Sequence, residues 1–137
     1  MEAETFKSLE SASLGDTLRL TEALDGLTYN ADGLIPVIAQ DAGSGEVLML
    51  AWMNRGAIER TLEEGYACYW SRSRASYWRK GESSGHLQKL TAMRFDCDGD
   101  AILVKVDQSG PACHTNRPNC FYLEVDGDQV RVISKPR

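Results

Sequence analysis

The chain has no apolar run approaching the roughly 20 residues that a membrane-spanning helix needs. It also has no excess of positive charge: 15 Lys and Arg stand against 20 Asp and Glu, a formal net charge of −5. Neither a nucleic-acid backbone nor an anionic membrane surface attracts such a protein, so no nucleic-acid and no membrane partner is expected. Histidine is scarce, at two residues, and none of the four cysteines sits in a C-x-x-C pair. That spacing argues against a structural zinc ribbon. The opening residues Met1-Glu2-Ala3-Glu4 lack the basic and apolar regions of a secretory signal, so a cytoplasmic protein is expected. There, free or metal-bound thiols are favoured over disulfides.

What is present is concentrated in a few places. At 137 residues, with 42% hydrophobic and 26% charged content, the chain fits one soluble domain with a single core. Residues 1–30 read as a leader: Phe6, Leu9, Leu14, Leu18, Leu20, Leu24 and Leu27 have loose helical spacing, broken at Gly15 and Gly26. A peripheral helix or partly ordered arm is expected there. From Leu34 onward the pattern is mostly strand. Residues 35–39 and 47–52 flank Gly43-Ser44-Gly45 and read as a hairpin. One helix follows, with Asn54 as its cap, Ala57, Ile58, Thr61 and Leu62 on one face, and Gly65 as its left-handed stop. Strand-like segments resume at 66–71, 87–95, 101–106, 121–125 and 129–133, the last two joined at Asp126-Gly127-Asp128. The fold class expected is mainly β with α+β character: one compact domain of antiparallel and mixed strands with one clear helix.

Asp96-Cys97-Asp98-Gly99-Asp100 places three carboxylates and a thiol on five consecutive residues. Like charges so close repel, and a cation between them relieves this. Oxygen ligands favour magnesium, manganese or calcium, whereas thiolates favour zinc. In an extended segment, Asp96, Asp98 and Asp100 would share one face and Cys97 would take the other. A solvated acidic turn explains the run equally well. An EF-hand does not, because loop position 6 is Ala101 and position 12 is Asp107. Cys113 and Cys120 follow downstream, and three sulfurs leave a fourth tetrahedral position for water. His114 would either close that site or move protons beside it, and its adjacency to Cys113 favours the second role. Cys68, flanked by Ala67 and Tyr69, reads as a small buried hydrophobe.

The stretch from Ser71 to Lys80 carries four positive charges and no negative one. It runs into Gly81-Glu82-Ser83-Ser84-Gly85-His86, whose glycines and serines offer further donors. Arg72, Arg74, Lys80, Ser84 and His86 are therefore candidates for binding a small phosphorylated ligand. A solvated basic edge strand is the alternative. Trp52 and Met53, at a strand end, read as core.

Several segments occur together and in order: Leu50-Ala51-Trp52-Met53-Asn54, Tyr69-Trp70-Ser71-Arg72-Ser73-Arg74, Trp78-Arg79-Lys80-Gly81-Glu82, Ser84-Gly85-His86-Leu87-Gln88, Asp96-Cys97-Asp98-Gly99-Asp100 and Gly110-Pro111-Ala112-Cys113-His114-Thr115. In these the chain resembles the phosphoribosyl-AMP cyclohydrolases of histidine biosynthesis, from about Leu34 to Phe121. The resemblance implies a catalytic domain over residues 31–137 and hydrolysis of the N1–C6 bond of the adenine ring. It implies Zn2+ on Cys97, Cys113 and Cys120, and Mg2+ on Asp96, Asp98 and Asp100. It further implies an intertwined homodimer whose zinc site is shared between subunits. Two positions depart from the pattern, Asn116 in place of glycine and Gly56 at the helix start. Two non-enzymatic readings stand beside this one: a zinc-stapled structural module and a phosphate- or nucleotide-sensing protein.

Overall fold

The computed structural model describes residues 2–137; Met1, the first residue of the expected leader, lies outside them. Eleven elements follow in order: α1 (Glu2–Leu9), α2 (Leu20–Gly26), β1 (Ile35–Asp41), β2 (Val47–Met53), α3 (Arg55–Glu64), β3 (Cys68–Ser71), β4 (Ser76–Arg79), β5 (Gln88–Phe95), β6 (Ile102–Gln108), β7 (Leu123–Asp126) and β8 (Gln129–Val132). Strands predominate, as the alternating apolar pattern predicts. None of the described helices is long and apolar enough to cross a membrane.

The central sheet has strand order β2-β1-β6-β5. Strands β1 and β2 pair antiparallel, as do β5 and β6, and the two hairpins join through parallel β1 and β6. Alternation makes the core. Ile35, Val37 and Ala39 of β1 and Ile102, Val104 and Val106 of β6 all point to one buried face. Phe6, Leu24 and Ile58 from the three helices, and Leu27 just past the end of α2, belong to the same cluster. Fully burying a side chain such as Leu24 contributes roughly 1.5–3 kcal/mol.

Helix α3 starts and stops where its sequence punctuation predicts. The Asn54 side chain accepts a hydrogen bond from the Ala57 N–H at 2.8 Å, and Gly65 ends the helix at φ +79°. The Thr61 hydroxyl accepts the Cys68 N–H at 3.0 Å, tying α3 to β3. Cys68 is buried, as its apolar flanks suggest.

Two features differ from the expectations, and a third settles a choice left open. The leader is two helices rather than one peripheral helix or an arm. Phe6, Leu24 and Leu27 are nearly inaccessible, so its loose apolar spacing is a response to the core. The basic stretch is a hairpin, β3–β4, with Trp78 opposite Tyr69 and Tyr77 opposite Trp70. Aromatic rings pack edge to face across it, Trp70 and Tyr77 lying 5.1 Å apart. Third, of the two readings left open for residues 96–100 the structure takes the tight turn and not the extended segment, so an alternation of Asp96, Asp98 and Asp100 against Cys97 is absent. The reason is the β5–β6 hairpin. Its ends must meet, which the bonds from the Asp96 N–H to the Ala101 carbonyl and from the Gly99 N–H to the Asp96 carbonyl accomplish, both at 3.1 Å. Gly99 supplies the positive φ, +68°, and the Phe6 ring lies against it, leaving no space for a side chain.

Candidate active site

The basic β3–β4 turn and the 110–120 loop face each other across a cleft of about 790 Å3, floored by the end of β2. The turn is built by short-range chemistry: the Ser71 hydroxyl accepts the Arg74 N–H at 3.3 Å, and Ala75 takes a left-handed φ of +50°. This aims Arg72 and Arg74 into the cleft. The Arg72 guanidinium lies 4.9 Å from the centre of the Trp52 ring. Trp52 is therefore a wall of the cleft rather than core, and Trp70 and Trp78 are two more.

A smaller cavity of about 300 Å3 adjoins the cleft and shares Arg74, Trp78, Lys80 and His114 with it. Ser84 and His86 line this second space. All five expected anion-binding residues thus line one or other of these two adjoining spaces. The 81–86 loop is held tightly: the Ser84 hydroxyl accepts the His86 N–H at 3.2 Å. A Cβ on Gly110 would lie 2.6 Å from the His86 ring.

A buried hydrogen-bond chain supports that loop from beneath. The Gln108 amide N–H donates to the His86 carbonyl at 3.3 Å, and its oxygen accepts from Gln88 Nε2 at 2.8 Å. Gln88 Oε1 in turn accepts the Tyr69 hydroxyl at 2.6 Å. Carbonyls only accept, so each amide has one permitted orientation and Tyr69 must donate. Burial pushes the Tyr69 pKa well up, and the phenol stays protonated.

The thiols divide. Cys113 and Cys120 lie together beside Lys80 at the cleft, with His114 next along the chain. The Thr115 hydroxyl donates to Cys113 Sγ at 3.0 Å. Burial raises the Cys113 pKa, but hydrogen bonds from Thr115 and Cys120 together with the Lys80 charge outweigh it and the net shift is downward. Cys120 moves the other way, to about 11, through burial and the neighbouring Cys113 sulfur. Burial depresses the Lys80 pKa, and the two thiols oppose that. Cys97 is not with them. It is exposed on the β5–β6 turn, at the edge of a separate groove beside α1 and α2.

On that turn Asp96 and Asp100 interact closely. Burial works against ionisation of Asp96, yet the Asp100 N–H, which it accepts at 3.0 Å, and neighbouring donors hold its pKa down. The Asp100 pKa is raised, chiefly by its hydrogen bond with the Asp96 carboxylate. Asp98 shares the turn. Among the described residues, no three His, Cys, Asp or Glu side chains converge within this one chain.

Residues 49–122 match the family model described as phosphoribosyl-AMP cyclohydrolase. The chain is 63% identical over 128 residues to phosphoribosyl-AMP cyclohydrolase 2 of Pseudomonas fluorescens, covering 93% of this chain and 87% of that one. It is 58% identical over 131 residues to the phosphoribosyl-AMP cyclohydrolase of Alkalilimnicola ehrlichii, covering 96% and 92% respectively. With the protein of that name from Hydrogenovibrio crunogenus it shares 55% identity over 132 residues, covering 96% of this chain and 90% of the relative. The matched segment contains the basic hairpin, the acidic turn and the paired thiols described above. This chain belongs to the phosphoribosyl-AMP cyclohydrolase family.

Proposed function

We propose that this protein hydrolyses the N1–C6 bond of the adenine ring of phosphoribosyl-AMP, opening the ring to the formimino carboxamide ribotide of histidine biosynthesis. We place it in the cytoplasm as a homodimer that uses zinc and magnesium. One observation carries the reading: a paired-thiol corner, a histidine and a basic hairpin line a cleft and the smaller cavity that adjoins it. The cleft's volume, about 790 Å3, lies in the range of small-molecule sites.

The donor sets fit the two metals. Cys113 and Cys120 lie side by side, and thiolate pairs suit zinc. Cys97 of the partner subunit would complete three sulfurs, because within one chain Cys97 lies elsewhere. Asp96 and Asp100 press two carboxylates together, the arrangement that a hard divalent cation neutralises, and Asp98 is at hand on the same turn. When bound, zinc would supply Lewis acidity at neutral pH.

The chain's own residues do the rest. Arg72, Arg74, Lys80 and Ser84 hold the substrate's two phosphates and fix the position of the ring. Trp52, Trp70 and Trp78 exclude water from the cleft walls. His114 takes a proton from the water that adds at C6 and returns it to N1 as the N1–C6 bond breaks. His86, held against Gly110, shapes the phosphate end of the cavity.

Purified protein, zinc, magnesium and phosphoribosyl-AMP are mixed and the ultraviolet absorbance of the purine is followed. Loss of the purine spectrum with appearance of the carboxamide ribotide is expected. A dimer carrying one zinc per chain that leaves the spectrum unchanged would sink the proposal.

A further inference from the structure

The cleft and the cavity that adjoins it differ in chemistry. The cleft, about 790 Å3, has aromatic walls in Trp52, Trp70 and Trp78, with Arg72 over the Trp52 ring. Indole rings offer stacking faces to a planar base. The adjoining cavity, about 300 Å3, is bounded by the 81–86 loop and carries Lys80, Ser83, Ser84 and His86, with Glu82 also on its wall. Its ammonium and hydroxyl donors suit a phosphate, and the Glu82 carboxylate can accept the hydroxyls of a sugar.

The loop around this cavity holds a fixed shape. Gly81 and Gly85 both take φ +83°, and the Gly85 N–H donates to the Gly81 carbonyl at 2.7 Å. A Cβ on Gly81 would strike the His86 backbone at 2.3 Å, so no side chain fits there without moving the loop. The Ser84 hydroxyl accepts the His86 N–H at 3.2 Å, which leaves its own proton to donate to a ligand.

The two spaces share a wall. Arg74, Trp78, Lys80 and His114 line both, while Cys120 borders the cleft and Cys113 the cavity. His114, which the proposed reaction sets at C6 and N1, therefore stands where the spaces meet. The N1–C6 bond of phosphoribosyl-AMP lies between two unequal parts, a planar purine nucleotide and a smaller ribosyl phosphate attached at N1. Each part carries one phosphate.

We infer that the two spaces divide the substrate at the bond that breaks: the aromatic cleft holds the purine nucleotide, with its phosphate on Arg72, and the 81–86 cavity holds the N1-linked ribosyl phosphate on Lys80 and Ser84. The inference rests on the reaction proposed above. The larger part takes the larger space, and the stacking walls meet the planar part of the substrate. AMP has the purine part only, so it fills the cleft and leaves the cavity vacant. Ser84 is then a specificity-determining residue, separating phosphoribosyl-AMP from AMP by a contact that AMP does not make.

Kinetics and calorimetry on the full chain test the division. Ser84→Asp keeps an oxygen to accept the His86 N–H but sets a negative charge against the bound phosphate. Its KM for phosphoribosyl-AMP is expected to rise about tenfold or more, the worth of one charge-assisted hydrogen bond, while its Kd for AMP stays within about twofold of the parent's. Arg72→Gln is expected to weaken both. In the unaltered protein, ribose 5-phosphate is expected to bind with AMP already at saturation, a measurement that needs no variant to fold. A Ser84→Asp protein that loses AMP and phosphoribosyl-AMP in parallel, or neither, overturns the division. So does ribose 5-phosphate that AMP excludes or that does not bind. Any of these results beside normal turnover by the parent leaves the proposed reaction standing, whereas a parent that leaves phosphoribosyl-AMP intact removes both.

Discussion

The hydroxyl of Tyr77 rests directly on the backbone of Gly56, in the first turn of α3. A Cβ at that position would overlap the hydroxyl and lie 3.0 Å from the Tyr77 Cζ. The Arg60 guanidinium covers the other side of the ring, 3.9 Å from its centre. Glycine early in a helix, a poor choice by propensity, is thus dictated by the β3–β4 hairpin packing onto it.

Gly56→Ala is therefore expected to destabilise. The helix gains roughly 1 kcal/mol in propensity, but overpacking costs about 1–3 kcal/mol. Urea denaturation should show a lower midpoint. Adding Tyr77→Phe removes the overlapping oxygen, and the double variant should recover most of the loss; additive losses would refute the packing explanation.

The Tyr69–Gln88–Gln108–His86 chain makes a functional forecast. Tyr69→Phe leaves the buried Gln88 oxygen without its donor, at a cost of about 1–3 kcal/mol. Gln108→Leu releases the His86 carbonyl and with it the 81–86 loop. Steady-state kinetics should show KM rising several-fold with kcat changed less. Equal loss in kcat and kcat/KM would assign the network to the chemical step instead.

Asn116 adopts φ +66°, and its N–H donates to the Cys113 carbonyl at 2.9 Å. Asparagine tolerates this left-handed conformation far better than alanine. Asn116→Ala should cost about 1 kcal/mol, a fall of about 4 °C in Tm, while Asn116→Gly should be close to neutral by calorimetry.

His114→Gln should lower kcat by about 10^2–10^4-fold, the usual range for a general acid–base group. Zinc content, read by metal analysis, should stay unchanged. Full turnover in a zinc-replete His114→Gln protein would remove the residue from proton transfer.

Arg72→Gln and Arg74→Gln should raise KM more than they lower kcat, because the role proposed for these cleft-lining arginines is to bind phosphates rather than to touch C6. Higher salt should weaken substrate binding in the parent more than in either variant. A fall in kcat alone would contradict the anion-binding role.

Local chemistry was legible from the residues alone. The cap at Asn54 and the stop at Gly65 bounded α3, and alternation drew β1, β2 and β6. The thiols, the acidic run and the basic stretch stood out in the sequence as candidate ligand groups, because their side-chain types are visible without the fold. What only the tertiary structure decided was which groups meet. It put Cys113 beside Cys120 and left Cys97 at a separate groove, drew Phe6 and Leu24 into the core, turned Trp52 toward the cleft and threaded Gln88 between Tyr69 and Gln108. Apart from the Cys113–Cys120 pair, these contacts join residues far apart in the chain. They follow from strand pairing and close packing, which no periodicity in a short window records.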